Sequence, residues 1–183
     1  MLLDTPVCDF GRKAPDFTLP DLDGGAVSLA QSYGANGVLV AFICNHCPYV
    51  KAIIDRLVAD AAVLKAEGIN VLAVMPNDFH AYPDDRPEKM QAFAARHGFT
   101  FPYLLDEDQA VARAYGAVCT PDFFGFNGAG ELQYRGRLDD AKMEDPADRK
   151  TELLDAMRLV AETGKGPARQ TPSMGCSIKW KPE

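Results

Sequence analysis

Apolar residues along this chain fall into two rhythms that alternate. The run Gly37-Val38-Leu39-Val40-Ala41-Phe42-Ile43 is apolar throughout, the pattern of a central strand buried on both faces. Over 48–67, Val50, Ile53, Ile54, Leu57, Val58, Ala61 and Leu64 recur at helical spacing, which predicts a helix that Gly68 ends. A second apolar strand follows at 69–74. Upstream, 17–19 and 26–29 flank Asp21-Leu22-Asp23-Gly24-Gly25, a strand–turn–strand signal. Downstream the spacing predicts a helix from about Pro87 to Gly98, with Met90, Phe93 and Ala94 inward, and a short extended piece at 101–105. A short helix at 109–115 stops at Gly116, and strands at 123–126 and 132–135, joined by Asn127-Gly128-Ala129-Gly130, read as a hairpin. A last amphipathic helix, 149–162, carries Leu153, Leu154, Met157, Leu159 and Val160. Residues 1–16 read as irregular, 76–88 as a proline- and acid-rich surface loop, and 164–183 as a flexible C-terminal tail. With no repeat or interdomain linker, 1–183 reads as one α/β domain: a central mixed sheet, helices on both faces, and an N-terminal β-hairpin extension.

Composition narrows the function classes. The chain has 183 residues, 47% hydrophobic and 25% charged, as in ordinary globular proteins. A net charge of −7 argues against nucleic acid as a partner. No apolar run is long enough to span a bilayer. Met1-Leu2-Leu3-Asp4-Thr5-Pro6 lacks a basic segment followed by an apolar one, so the expected location is the cytoplasm. Five cysteines are too few for a disulfide scaffold; in a reducing compartment they point to chemistry or simple burial.

The chemistry concentrates at Cys44-Asn45-His46-Cys47-Pro48, between the first core strand and its helix. A Cys-x-x-Cys in that setting reads as redox-active. Two thiols one helical turn apart can close into a disulfide, and a helix N-terminus favours a thiolate. Pro48 fits the first turn. A structural zinc half-site would need a second Cys-x-x-Cys or a His-x-x-x-His, and neither occurs. His46, between the cysteines, is placed to tune a neighbouring thiolate. The bland alternative is a surface histidine. His80 and His97 read as surface residues, Cys8 as an incidental semi-buried thiol, and Arg135, Arg137, Asp139 and Asp140 as a local salt-bridge network.

Taken together, Cys44-x-x-Cys47-Pro48 and Thr120-Pro121 before a hairpin resemble the thioredoxin fold. Ala14-Pro15-Asp16-Phe17-Thr18-Leu19 resembles the opening of the peroxiredoxin (AhpC/TSA) branch. The likeness to a peroxiredoxin-like, thioredoxin-family group runs on through 45–51, 115–124 and 134–140 to Gly175-Cys176-Ser177-Ile178-Lys179-Trp180-Lys181. It implies that Pro121 is cis and lies against the dithiol. It places Cys47 where peroxiredoxins carry the peroxide-attacking cysteine, but Val40 and Cys44 stand where they have a proline and a Thr or Ser. Their arginine falls near Pro121. With hydroxyl and guanidinium missing from those places, the resemblance favours dithiol–disulfide exchange over peroxide reduction.

The roles that follow are expectations. By the thioredoxin likeness Cys44, the first and more exposed thiol, attacks and Cys47 resolves; the peroxiredoxin likeness reverses the two. Cys119 lies near the dithiol as either a third redox thiol or a buried small hydrophobe. Cys176 is either a resolving thiol, within or between chains, or a packed tail residue beside Ile178 and Trp180. The reading is a thiol–disulfide oxidoreductase that needs no organic cofactor and no metal. Its substrates would be protein or small-molecule disulfides and thiols, and its state monomer or homodimer. A weak thiol peroxidase with Cys47 oxidised, a Cu(I)-binding module using Cys44, Cys47 and a His, and a redox-inactive scaffold are the alternatives.

Overall fold

The computed structural model describes residues 1–183. The first core strand is β4, and labels follow chain order: β1 Leu2–Asp4, β2 Thr18–Pro20, β3 Ala26–Ser28, β4 Gly37–Phe42, α1 Pro48–Ala66 and β5 Ile69–Met75. Then come α2 Pro87–Arg96, β6 Tyr103–Leu105, α3 Ala110–Tyr115, β7 Cys119–Thr120, β8 Asp122–Phe126, β9 Leu132–Tyr134, α4 Glu152–Thr163 and β10 Met174–Ser177. Five strands form the central sheet in the order β6-β5-β4-β8-β9. β4 runs parallel to β5 and antiparallel to β8, so the sheet is mixed. A parallel neighbour requires a crossover, and α1 supplies it.

The uniformly apolar β4 is explained by its two buried faces. Leu39, Ala41 and Ile43 pack with residues of α1, α2 and α4. Val38, Val40 and Phe42 pack with Phe17, Leu19 and the α3 residues Val111, Ala112 and Tyr115. The same period-two split recurs in β8, where Phe123 joins the first cluster and Phe124 and Phe126 the second. Tyr115 meets Phe124 edge-on at 5.4 Å, a favoured aromatic geometry. This is the expected thioredoxin-like arrangement, with helices on both faces and β2–β3 as an antiparallel hairpin ahead of it. No helix is long and apolar enough to cross a membrane.

Three expectations need correction. Residues 1–16 are not wholly irregular, because β1 pairs antiparallel with β10. The segment 164–183 is not a loose tail: β10 lies between β1 and β7 in a separate three-stranded sheet. A four-residue strand with little apolar content carries almost no periodic signal, which is why the pattern missed it. Leu159, counted in the apolar stripe of α4, is exposed.

The arginines after the hairpin also reach further than a local network. Arg135 binds Asp122 on β8 at 3.0 Å, and Arg137 binds Glu152 on α4 at 2.8 Å. Asp139 accepts from Arg56 of α1 at 2.8 Å and from Arg149 at 3.1 Å, while Arg149 also holds Asp60 of α1 at 2.7 Å. These pairs clamp α1 to the chain that follows the sheet.

Candidate active site

β4 delivers Cys44 and α1 begins at Pro48, so the Cys-x-x-Cys bridges a strand end and a helix start. Cys47 is the residue that caps α1, with extended backbone (φ −66°, ψ 124°), and Pro48 occupies the first turn. Facing the pair is the cis peptide Thr120–Pro121. Cys44 Sγ lies 3.3 Å from Thr120 Oγ1, and Cys47 Sγ lies 3.2 Å from the Thr120 carbonyl oxygen. Cys44 was expected to be the more exposed thiol; instead Cys44 is 1% and Cys47 0% exposed. The cover comes in part from β10, which packs on α1 and pairs with β7. Gly175 makes that approach close: a Cβ there would collide with the Thr120 carbonyl oxygen and stand 3.0 Å from Pro121 Cδ.

The two thiols have opposite electrostatics. Cys47 is pulled well below an ordinary thiol, first by the Cys44 thiol, then by the thiol of Cys176 and the backbone N–H groups of Val50 and Cys176, against a desolvation penalty. Cys44 is pushed well above, first by its hydrogen bond to Cys47 and then by burial. One contact works the other way. The Thr120 carbonyl can only accept, so it favours the protonated form of Cys47. Several donors oppose that one acceptor, and a helix N-terminus adds to them, so of the two thiols Cys47 has the lower pKa and Cys44 the higher.

Around the pair stands a polar frame. Asp85, fully buried, accepts from the Asn45 backbone N–H at 2.8 Å and Asn77 Nδ2 at 2.9 Å. Asn45 Oδ1 accepts in turn from Tyr103 Oη at 2.7 Å. Asp85 also holds His46, whose Nδ1 is 2.7 Å from Asp85 Oδ2. That nitrogen makes no well-aligned hydrogen bond, so the contact is better described as an ion pair than as a directed bond. The imidazole stacks on Tyr82 at 6.2 Å. The stretch 76–88 was expected to be a surface loop, but Asn77, Asp78 and Asp85 are buried. Acidic residues near prolines read as solvated, and nothing in the sequence marks Asp85 as the one turned inward.

The His46 pKa is raised, first by its close contact with the Asp85 carboxylate, against burial and Lys179, with Cys47 adding a smaller raising contribution. A raised folded value contributes stability that is fully present below the unfolded value of 6.5 and lost as pH rises through the folded value. His46→Asn should therefore be destabilising at acid pH and nearly neutral in alkali. Urea midpoints of both proteins from pH 5.5 to 9 measure this, and a difference that does not change with pH would remove the His46–Asp85 account. Any contribution from Cys47 common to both proteins cancels in the comparison.

The remaining cysteines differ in placement. β10 pairs with β7 so that Cys176 stands opposite Thr120 and Ser177 opposite Cys119. Cys119 is fully buried, 3.6 Å from the Pro121 carbonyl, and its pKa is pushed far up by burial. Cys8 is half-buried with no disulfide partner. His80 is exposed beside Glu107, and His97 pairs with Asp55 at 2.8 Å. Ligand atoms of Cys44, His46 and Asp85 lie within 4.8 Å of one another. That set offers a single sulfur, Cys44, with its pKa raised, and a carboxylate already accepting from Asn45 and Asn77, a poor match to Cu(I), which prefers soft thiolates.

Residues 10–135 match the pattern of the AhpC/TSA family. The crystal structure of an uncharacterized conserved protein from Geobacillus kaustophilus superposes with a TM-score of 0.93 at 39% identity, covering 100% of this chain and 98% of that one. Peroxiredoxin Bcp of Escherichia coli is 33% identical over 122 residues, which is 63% of this chain and 69% of that protein. The thiol-disulfide oxidoreductase ResA of Halalkalibacterium halodurans is 28% identical over 130 residues, 70% of this chain and 69% of its own. Since the family pattern spans most of the chain and includes β4, both cysteines of the motif and the facing Thr120–Pro121, this chain belongs to the AhpC/TSA family.

Proposed function

We propose that the protein is a thiol–disulfide oxidoreductase working through Cys44 and Cys47. The observation that carries this is geometric: two buried cysteines one turn apart at the N-terminus of α1 face the Thr120–Pro121 peptide, with Cys44 Sγ 3.3 Å from Thr120 Oγ1 and Cys47 Sγ 3.2 Å from its carbonyl oxygen. In the reducing direction the Cys47 thiolate attacks one sulfur of a disulfide. That S–S bond breaks, a mixed disulfide forms, and one thiolate leaves and takes up a proton. Cys44 then gives up its proton and attacks Cys47 Sγ, which releases the second thiol and closes Cys44–Cys47. Pro121 closes the facing wall, while His46 and Asp85 set the field at the mouth. The likeness to ResA supports exchange chemistry.

A stabilised thiolate favours the reduced state and makes the disulfide more oxidising. The couple should titrate in glutathione buffers as one two-electron transition, at a potential less negative than thioredoxin's, about −270 mV. Mass spectrometry of the trapped species identifies the bond. If no Cys44–Cys47 disulfide forms at any poise, the proposal fails.

Peroxide reduction is a second reading with one observation in its favour. Thr120 Oγ1 brings a hydroxyl to the dithiol, a group not anticipated from the residues preceding Cys47. The groups acting most strongly on the Cys47 sulfur are thiols and amides, none of them a guanidinium, so exchange remains the better-supported activity.

A further inference from the structure

The sulfurs of the proposed couple have almost no contact with solvent, yet exchange requires one sulfur to meet an external partner. Cys44 and Cys47 are 1% and 0% exposed, whereas Cys176 is only partly buried. Directly opposed residues of an antiparallel pair project from the same face. Cys176 opposes Thr120, whose hydroxyl touches Cys44 Sγ, so Cys176 is on the dithiol face and Cys119, one residue away, is on the other. Both the thiol and the backbone N–H of Cys176 act on the Cys47 sulfur. Cys47 therefore has a thiol neighbour on each side: Cys44 within the motif and Cys176 from β10. β10 is held along both edges, by β1 and β7, and the Ser177 N–H donates to the Met1 carbonyl oxygen at 2.7 Å. The edge of β7 is thus already filled by the chain itself, and an incoming protein strand cannot pair there while β10 is in place.

Resting on the oxidoreductase reading, we propose that Cys176 is a third redox thiol that relays exchange between the buried Cys44–Cys47 couple and low-molecular-weight thiols in solution. Starting from the Cys44–Cys47 disulfide, the Cys176 thiolate attacks Cys47 Sγ. The Cys47–Cys176 bond forms, the Cys44–Cys47 bond breaks, and Cys44 leaves with the electron pair and takes the proton that Cys176 gave up. An external thiol, as thiolate, then attacks the accessible Cys176 sulfur and expels Cys47 as the stabilised thiolate, a good leaving group. A second external thiol cleaves the mixed disulfide on Cys176. In sum, two external thiols become one disulfide and the couple is reduced. While Cys47 is a thiolate it raises the Cys176 pKa, by hydrogen bond and by charge, after the larger effect of burial. Once Cys47 is locked in a disulfide that charge is gone, so Cys176 ionises more readily in the state where it must attack.

The test compares oxidised wild type with Cys176→Ser, following reduction of the Cys44–Cys47 disulfide by glutathione with quenched-flow trapping and mass spectrometry. The relay predicts at least a tenfold slower reduction in Cys176→Ser, and a Cys47–Cys176 disulfide in Cys44→Ser exposed to oxidised glutathione. A merely structural effect has the opposite sign, because loosening β10 would uncover the couple and speed its reduction; urea midpoints report whether the strand has loosened. Equal or faster reduction in Cys176→Ser, or no Cys47–Cys176 bond in Cys44→Ser, overturns the relay while leaving the couple intact. Absence of the Cys44–Cys47 disulfide in both proteins removes the oxidoreductase reading and the relay together.

Discussion

Cys47→Ser is expected to abolish thiol–disulfide exchange, by on the order of 10³-fold or more, the scale on which losing a nucleophile leaves only residual activity. The hydroxyl that replaces the sulfur cannot become an anion at neutral pH, and the donors assembled around it, from Cys44, Val50 and Cys176, then have no charge to stabilise. Cys44→Ser behaves differently. It leaves a thiolate able to attack, and when Cys176 is also replaced by serine no resolving thiol remains beside it, so a single covalent adduct on Cys47 accumulates and turnover stops. Reduction of a small aromatic disulfide, followed by absorbance and by intact mass, separates the two variants. Should Cys47→Ser retain a stable adduct on Cys44 while the variant carrying both Cys44→Ser and Cys176→Ser forms none, then Cys44 is the attacking sulfur and the electrostatic assignment is reversed.

Asp139→Ala should destabilise the fold by about 3–5 kcal/mol, as removal of one member of a buried charge network does. Asp139 is 2% exposed and accepts from both Arg56 and Arg149. Its loss leaves the Arg56 guanidinium, itself 6% exposed, with the Ala52, Lys142 and Glu144 carbonyls and, as its nearest carboxylate, only the solvent-exposed Asp145 at 3.8 Å. The cost is the uncompensated charge more than the bond removed. A second variant sharpens the reading: replacing Arg56 by methionine together with Asp139→Ala should recover part of the loss, since the guanidinium no longer has to be buried unpaired. Urea denaturation of both variants measures the two effects. A loss below about 1 kcal/mol for Asp139→Ala, the range of exposed pairs, would show that water reaches the network.

Much of this architecture was readable because its signals are periodic or chemically narrow. β4 announced itself by being apolar on both faces, α1 by its spacing, and the couple by two cysteines set between them. What stayed hidden depends on long-range placement. Asp85 looked like its solvated neighbours, and only the fold turns it beneath Asn45 and His46. β10 gave no rhythm because it is short, and its partners β1 and β7 are separated from it in sequence. The greater exposure expected for Cys44 failed for the same reason, since the cover over it comes from the far end of the chain. Arg135 and Asp139 were visible as charges near one another, but their partners lie on β8 and α1.

The position of β10 also sets a timetable for synthesis. Cys44 and Cys47 leave the ribosome early, while residues 174–177 follow only after the central sheet and α4 have been made. A domain begins to fold as it emerges, and contacts between distant parts of the sequence form late. During that interval β7 has an open edge and the dithiol lacks its cover, so the nascent chain is at its most vulnerable to wrong disulfides and to strand addition by a neighbour. Arrival of Cys176 ends both exposures at once.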